Sequence, residues 1–174
     1  MKYSRLIDLF SRYLIVLASS FKGLFIFYWI FAPLTVYLSY FLFSLFLEVQ
    51  LTGNIISLNR FDVILTDSCI AGAAYFLLFL LNLSVPKVSF QKRILMFCFA
   101  FFSFLLFNVL RILVLAVIFK YNFQLFNFLH LLLWFGVSIF LVLFIWFLEV
   151  KIFKIREIPF YSDMKYLYNL TLKK

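Results

Sequence analysis

Long apolar stretches separated by short polar ones dominate this chain. Four runs cover residues 23–47, 68–85, 94–119 and 121–148, and within them the only formal charge is Arg111. An α-helix rises about 1.5 Å per residue, so runs of about 20 apolar residues match the hydrocarbon thickness of a bilayer. The pattern therefore predicts an all-α fold, a polytopic transmembrane helix bundle with about four spans. Pro33, inside the first run, is compatible with a kink there.

The segments on either side of these runs divide the chain into three parts. Residues 1–22 place apolar side chains at helical spacing with charges between them, which predicts an amphipathic helix on the membrane surface. A signal peptide is the alternative, but its apolar part is short and a new apolar run follows at once. Residues 23–150 form the transmembrane core, and residues 151–174 form a basic cytoplasmic tail that breaks at Ile158-Pro159.

Residues 48–67 are the only sizeable polar stretch before the tail. Apolar and polar residues alternate in part of it, on both sides of Asn59-Arg60. Such alternation is typical of strands, so a small hairpin or a re-entrant cap is an expectation for this stretch.

Composition and charge support a membrane protein and argue against nucleic-acid binding. Hydrophobic residues make up 67% of the chain and charged residues 13%, far from the proportions of a soluble domain. The net charge of +9 comes mostly from residues before the first run, between the second and third, and in the tail. With four spans these segments share one side of the membrane, and the positive-inside rule makes both termini cytoplasmic. With one His and four Gly, the chain lacks the ingredients of a metal or nucleotide site, so no cofactor is expected.

That topology brings three rare residues to the outer half of the bilayer. Cys69 lies at the outer mouth of the second span, Arg111 about 12 Å below the outer end of the third, and His130 near the outer start of the fourth. A charged residue in a transmembrane helix costs at least about 2.5 kcal/mol on insertion scales, so it normally has partners in the protein. The shared depth of the three residues is hard to explain by packing, so we expect Cys69, Arg111 and His130 to share one polar pocket on the side opposite the two termini.

These three residue types together favour nucleophilic acyl transfer. A cation or a histidine near a thiol promotes the thiolate that attacks a carbonyl. Arg111 is a candidate to stabilise the thiolate or the oxyanion, and His130 to protonate the leaving amine. Asn108 lies one turn before Arg111, on the same helix face, and is a candidate to orient the guanidinium or to donate to the oxyanion.

Simpler interpretations exist for each residue. Cys69 alone is compatible with a small buried hydrophobe, and we assign Cys98, amid Phe and Met near the cytoplasmic end, to packing. His130 alone is compatible with a structural residue at a helix start. Arg111 has a structural alternative as well, an ion pair with Asp62 or Asp67.

Three short motifs resemble the exosortase/archaeosortase family, and the small archaeal members of the pacearchaeosortase kind most closely. The resemblance covers about residues 60–165. It rests on Asp67-Ser68-Cys69-Ile70-Ala71-Gly72, Asn108-Val109-Leu110-Arg111-Ile112 and His130, with similar segments at Ala73-Ala74-Tyr75 and Ile158-Pro159-Phe160-Tyr161-Ser162-Asp163.

The resemblance implies a membrane cysteine transpeptidase or protease. Its substrates would be secreted proteins that end in a short motif, a hydrophobic helix and a basic cluster, with a membrane lipid as the possible acceptor. It implies Cys69 as nucleophile, Arg111 as electrostatic stabiliser and His130 as proton-transfer residue, with Asn108 and Asp67 in support. The active site would face outside the cell.

Two features depart from the family pattern. Family members often have glycine two residues after the cysteine, where this chain has Ala71, and many have more than four spans. The rival hypothesis is a non-enzymatic transport or assembly subunit in which Arg111 is a structural charge.

Overall fold

The computed structural model describes residues 2–58 and 61–171, and most of these are helical. Asn59 and Arg60, at the centre of the expected hairpin, and the last two lysines lie outside the described residues. In chain order the elements are α1 (Lys2–Ser44), β1 (Val49–Thr52), β2 (Ile55–Leu58), β3 (Phe61–Ile64), α2 (Asp67–Ile70), α3 (Gly72–Leu83), α4 (Phe90–Tyr121), α5 (Phe123–Leu132), a π-helical turn (Leu133–Val137), α6 (Ser138–Ile152) and α7 (Tyr161–Thr171).

Within the described residues, two helical segments are long and apolar enough to cross a membrane, Gly23–Ser44 within α1 and Phe90–Tyr121, which is α4. The other two apolar runs are not regular α-helices throughout. Ala71 separates α2 from α3, whereas α5 passes into α6 through the wider π-helical turn, with right-handed helical backbone at both of its ends. The structure therefore gives two of the four predicted spans as uninterrupted helices of sufficient length.

The predicted amino-terminal helix forms as the first part of α1. This helix continues without a break through residue 22 and through Pro33, so no helix end marks the predicted boundary between surface helix and first span.

The all-α prediction needs one correction, because residues 49–64 form a small antiparallel sheet in the order β1-β2-β3. Gly53 adopts a φ of 62° in the β1–β2 turn, a conformation that costs glycine little. One face of β2 is buried through Ile56 and Leu58, which pack in a cluster with Val36 of α1 and Ile112 of α4. The strands are only four residues long, too short for a clear periodic signal among so many apolar residues.

Aromatic rings fill the core between α1, α3 and α4. Phe31 stacks on Tyr75 with ring centroids 3.6 Å apart, and Phe104 meets Tyr75 edge-on at 4.8 Å. At the start of α3, a Cβ added to Gly72 would lie 2.9 Å from the ring of Tyr28. Only glycine therefore lets α3 approach α1 this closely, and this contact fixes where the chain emerges after Cys69.

Buried polar groups join the elements at the end of the bundle that lies opposite Cys69. The tail folds back as α7, and its Asp163 pairs with Arg12 of α1, the two residues being only 2% and 4% exposed. Arg93 donates to the carbonyls of Asn82, Leu83 and Val85 and so closes the α3–α4 connection. Arg12, expected on the surface helix, and Arg93, expected in a cytoplasmic connection, are thus internal structural residues.

Candidate active site

Cys69 lies in the single helical turn α2, between the sheet and α3. The Thr66 hydroxyl donates to the Cys69 Sγ over 3.6 Å, and the Cys69 amide donates to the Thr66 carbonyl over 2.8 Å. The thiol is half-buried, whereas Asp67 is exposed at the first position of α2. Thr66 thus provides a polar contact to the sulfur that the sequence motifs did not single out.

Ala71 gives the turn after Cys69 its shape. Its φ of 57° and ψ of 42° are left-handed, and its amide donates to the Asp67 carbonyl as α2 ends. Left-handed backbone costs a residue with a Cβ about 1–2 kcal/mol, which is why glycine is favoured there. The departure noted in the sequence, alanine where the family often has glycine, therefore falls at a position whose backbone conformation favours glycine.

Two residues of α4 hold the backbone of this turn. Asn108 Nδ2 donates to the Cys69 carbonyl over 2.8 Å and to the Ile70 carbonyl over 3.4 Å. Arg111 Nη2 donates to the carbonyls of Ser68 and Cys69, both over 3.3 Å. The two side chains lie one helical turn apart, so both point at α2. The Asn-x-x-Arg spacing therefore does bring these residues to Cys69, but to its main chain.

Arg111 has no acidic partner among the residues that the structure describes. Its Nη1 donates to Ser138 Oγ over 2.9 Å, its Nε is buried without a hydrogen-bond partner, and no ion pair involves it within residues 2–58 and 61–171. The suggested ion pair with Asp62 or Asp67 is therefore not found. The acceptors of the Arg111 hydrogen bonds are all neutral oxygens, so no counter-ion among the described residues balances the guanidinium charge beside the peptide group of Cys69.

Ser138 is the second residue that sequence reasoning missed. Besides accepting from Arg111, its hydroxyl donates to the Leu133 carbonyl over 3.0 Å across the π-helical turn. Such turns leave backbone carbonyls free for other donors, and they are frequent at functional sites. An available signal was that Ser138 is the only hydroxyl side chain between His130 and Glu149.

His130 faces the same cavity as Cys69. This cavity has a volume of about 220 Å³ and lies between β3, α2, α4 and α5. The imidazole is half-buried and stacks on Phe126, with ring centroids 5.4 Å apart and planes within 10°. The polar lining of this cavity comes from four residues, and its other lining residues are apolar. The polar residues are Asp62, Thr66, Cys69 and His130.

Arg111 lines a different cavity, of about 250 Å³, together with Asn108 and Ser138. The three predicted residues are thus divided between two cavities, with the backbone of Cys69 between them. Cys69 and His130 share the first cavity, and Arg111 reaches Cys69 from the second. The expectation of one shared polar pocket for all three residues is not met, although each contacts Cys69 or its cavity.

Within the described residues, neither the second cysteine nor a metal-binding cluster adds to this site. Cys98 is exposed on α4 rather than packed, and both cysteines are free thiols. In the part of the chain that the structure describes, no three His, Cys, Asp or Glu side chains are placed to hold a metal ion. No protein-family model, curated protein or solved structure matches the chain.

Proposed function

We propose that this protein is a membrane-embedded cysteine peptidase or transpeptidase that cleaves carboxy-terminal sorting signals of secreted proteins at the outer membrane face. In this proposal the chain crosses the membrane about four times, with both termini in the cytoplasm. The two uninterrupted apolar helices and the excess of basic residues near the termini support that topology. The motifs of Cys69, Asn108, Arg111 and His130, which resemble the exosortase/archaeosortase family, support the reaction type.

The observation that carries the proposal is the cation held against the nucleophile's peptide group. Arg111 lies in an apolar helix, has no acidic partner among the described residues, and donates to the carbonyl of Cys69. A positive charge at this point is placed to stabilise negative charge that develops on the sulfur or on the oxyanion during acyl transfer. His130 borders the space where a substrate carbonyl would meet the thiol.

The reaction that follows from this arrangement has two steps. The Cys69 thiolate attacks the scissile carbonyl, a C–S bond forms, and the C–N bond breaks as the His130 imidazolium gives its proton to the departing amine. A lipid hydroxyl or a water then attacks the thioester while His130 takes its proton, and the thiolate leaves. Asn108 holds the Cys69 turn, and Asp67 supports it as an acidic residue at the start of α2.

The rival function is a non-enzymatic transport or assembly subunit. One observation favours it: Arg111 bridges three elements, α2, α4 and the start of α6, through its bonds to Ser68, Cys69 and Ser138. Such a bridge has structural value without any chemistry. The two functions differ in what they require of the thiol itself.

Processing of a secreted substrate separates the two functions. The substrate is a co-encoded secreted protein that ends in a motif, an apolar helix and basic residues, and its tail removal is followed by immunoblot. We expect Cys69→Ala to abolish removal and Cys98→Ala, the matched control, to leave it unchanged. We expect Arg111→Lys to reduce it strongly, because lysine cannot reproduce the forked contacts of a guanidinium. Full processing by the Cys69→Ala variant would refute the peptidase function.

A further inference from the structure

Strand β3 has one free edge, and this edge borders the cavity that contains Cys69. In the described sheet β3 pairs only with β2, with Ile55 opposite Ile64 and Ser57 opposite Asp62. All four residues of β3 line the cavity, together with Cys69 and His130. The free edge therefore runs along the approach to the thiol.

The register identifies the backbone groups that the edge offers. The Leu65 amide donates to the Asn54 carbonyl over 2.9 Å, so these two residues form a hydrogen-bonded pair. Hydrogen-bonded and non-hydrogen-bonded pairs alternate along an antiparallel ladder. Val63 and Phe61 therefore bond to β2, whereas Asp62 and Ile64 direct their amides and carbonyls away from it. No backbone partner of these two residues is observed on the free side within the described chain.

Charge restricts what binds along this edge. The Asp62 side chain is exposed, lines the cavity, and takes part in no ion pair among the described residues. Opposite charges directly across two strands are favourable and like charges are not. A basic residue opposite Asp62 is therefore favoured over an acidic one.

We propose that the edge of β3 binds the extended segment of the substrate as a fourth strand, and that Asp62 selects a basic residue in it. This inference rests on the proposed function and specifies how the substrate is held. An added strand satisfies the free amides and carbonyls of Asp62 and Ile64, and it leads the substrate chain along the cavity to Cys69. Side chains on alternate positions then face the apolar lining of the cavity, such as Phe119 and Phe126.

Peptide vinyl sulfones test this proposal, because they alkylate Cys69 only when they are bound beside it. The probes are two sets of eight-residue peptides. In the first set a single Lys or Glu is moved along the peptide, and in the second set one backbone amide at a time is N-methylated. Labelling of the Cys98→Ala protein in micelles is measured by mass spectrometry. We expect N-methylation to slow labelling about tenfold at alternate positions only, since one lost hydrogen bond is worth roughly that factor. Equal rates at all positions would refute the added strand.

A charge reversal tests the role of Asp62. We expect the wild-type protein to react about fivefold faster with the Lys peptides, and the Asp62→Lys variant about fivefold faster with the Glu peptides. This factor corresponds to the upper end of the free energy of a cross-strand charge pair. Glu48→Gln, an exposed acidic residue outside the cavity, is the matched control and should not change the preference. An unchanged preference in Asp62→Lys would refute the selection.

A proline pair tests the edge from the protein side. Ile64→Pro removes an outward amide, which an edge strand tolerates, whereas Val63→Pro removes an amide bonded to β2. We expect Ile64→Pro to slow peptide labelling by a larger factor than it slows alkylation of Cys69 by iodoacetamide, whereas equal slowing of both reagents would count against binding along the edge. If Cys69 is essential for processing but the peptide patterns are flat, this inference fails and the proposed function stands. If processing persists without Cys69, the proposed function itself fails.

Discussion

Replacing Asp163 by Asn tests whether the tail helix is held to the bundle by a buried ion pair. Asp163 accepts from Arg12 Nη2 over 3.1 Å, its second oxygen lies 3.0 Å from Arg12 Nη1, and Tyr13 donates to it over 3.3 Å. Both charged side chains are nearly inaccessible to solvent. Asp163→Asn keeps the shape of the side chain but leaves Arg12 without its main counter-charge.

The expected loss follows from the contacts that remain. Removing one partner of a buried pair costs about 3–5 kcal/mol when the other is left uncompensated. Arg12 keeps the Asp8 carboxylate at 3.1 Å and the Ser84 carbonyl at 3.2 Å. We therefore expect a smaller loss of about 2–3 kcal/mol, which lowers the docking equilibrium constant of α7 by roughly 30- to 150-fold.

Native-state trypsin digestion in micelles measures this change. Lys165 lies within α7, so cleavage after it requires the helix to open, and the cleavage rate follows the open population. The matched control is Lys87→Gln, which breaks an exposed ion pair with Glu157 and should change the rate by less than about fivefold. A rate for Asp163→Asn no greater than that of the control would refute the argument that the buried pair holds the tail.

Three further predictions concern the Cys69 turn and the tail. Ala71→Gly should stabilise the protein by about 1 kcal/mol because it relieves the left-handed strain. Gly72→Ala should destabilise the protein because the added Cβ meets the Tyr28 ring. Thermal unfolding in micelles should therefore show opposite shifts of the midpoint for the two variants. Asn108→Leu leaves the Cys69 carbonyl without its shortest bond, so a loss of about 1–2 kcal/mol is expected in the same assay, and an unchanged midpoint would contradict it. Burial and the Asp163 carboxylate raise the pKa of Tyr13 above its ordinary value of 10.0. The contribution of the Tyr13 hydroxyl to docking of α7 is therefore complete below about pH 10 and is lost as the pH rises through the raised pKa. Proteinase K should cleave α7 faster at that higher pH in the wild type, and the increase should be smaller in Tyr13→Phe.

The helical framework was predictable because long apolar runs leave few alternatives to helices in a membrane. The sequence could not show where the second and fourth runs depart from a regular α-helix. The break at Ala71 depends on a left-handed residue without glycine, the fourth run widens into a π-helical turn after Leu132, and neither feature has a reliable local signal. The sheet was only an expectation because its strands are short and their burial depends on α1 and α4.

The shared helix face of Asn108 and Arg111 was predictable from the sequence, but the contacts of these two residues were not. Helical spacing indicated that Asn108 and Arg111 share a face, and both do reach the Cys69 turn. That they bond to main-chain carbonyls depends on how α2 is oriented, which the sequence pattern does not encode. Thr66 and Ser138 were missed because isolated hydroxyl residues in apolar sequence are common and gain meaning only from neighbours distant in the chain.

The proposed function requires an acyl intermediate on the Cys69 thiol, and trapping this thioester tests the requirement. Membranes that contain the Cys98→Ala protein and a tail-bearing secreted substrate are quenched in acid, and the adduct on Cys69 is identified by mass spectrometry. We expect a substrate-derived acyl group on Cys69 that neutral hydroxylamine releases, and we expect it to form more slowly in a His130→Ala variant, which has no imidazolium to protonate the departing amine. Substrate processing at the wild-type rate with an unmodified Cys69, or in a Cys69→Ala variant, would contradict it.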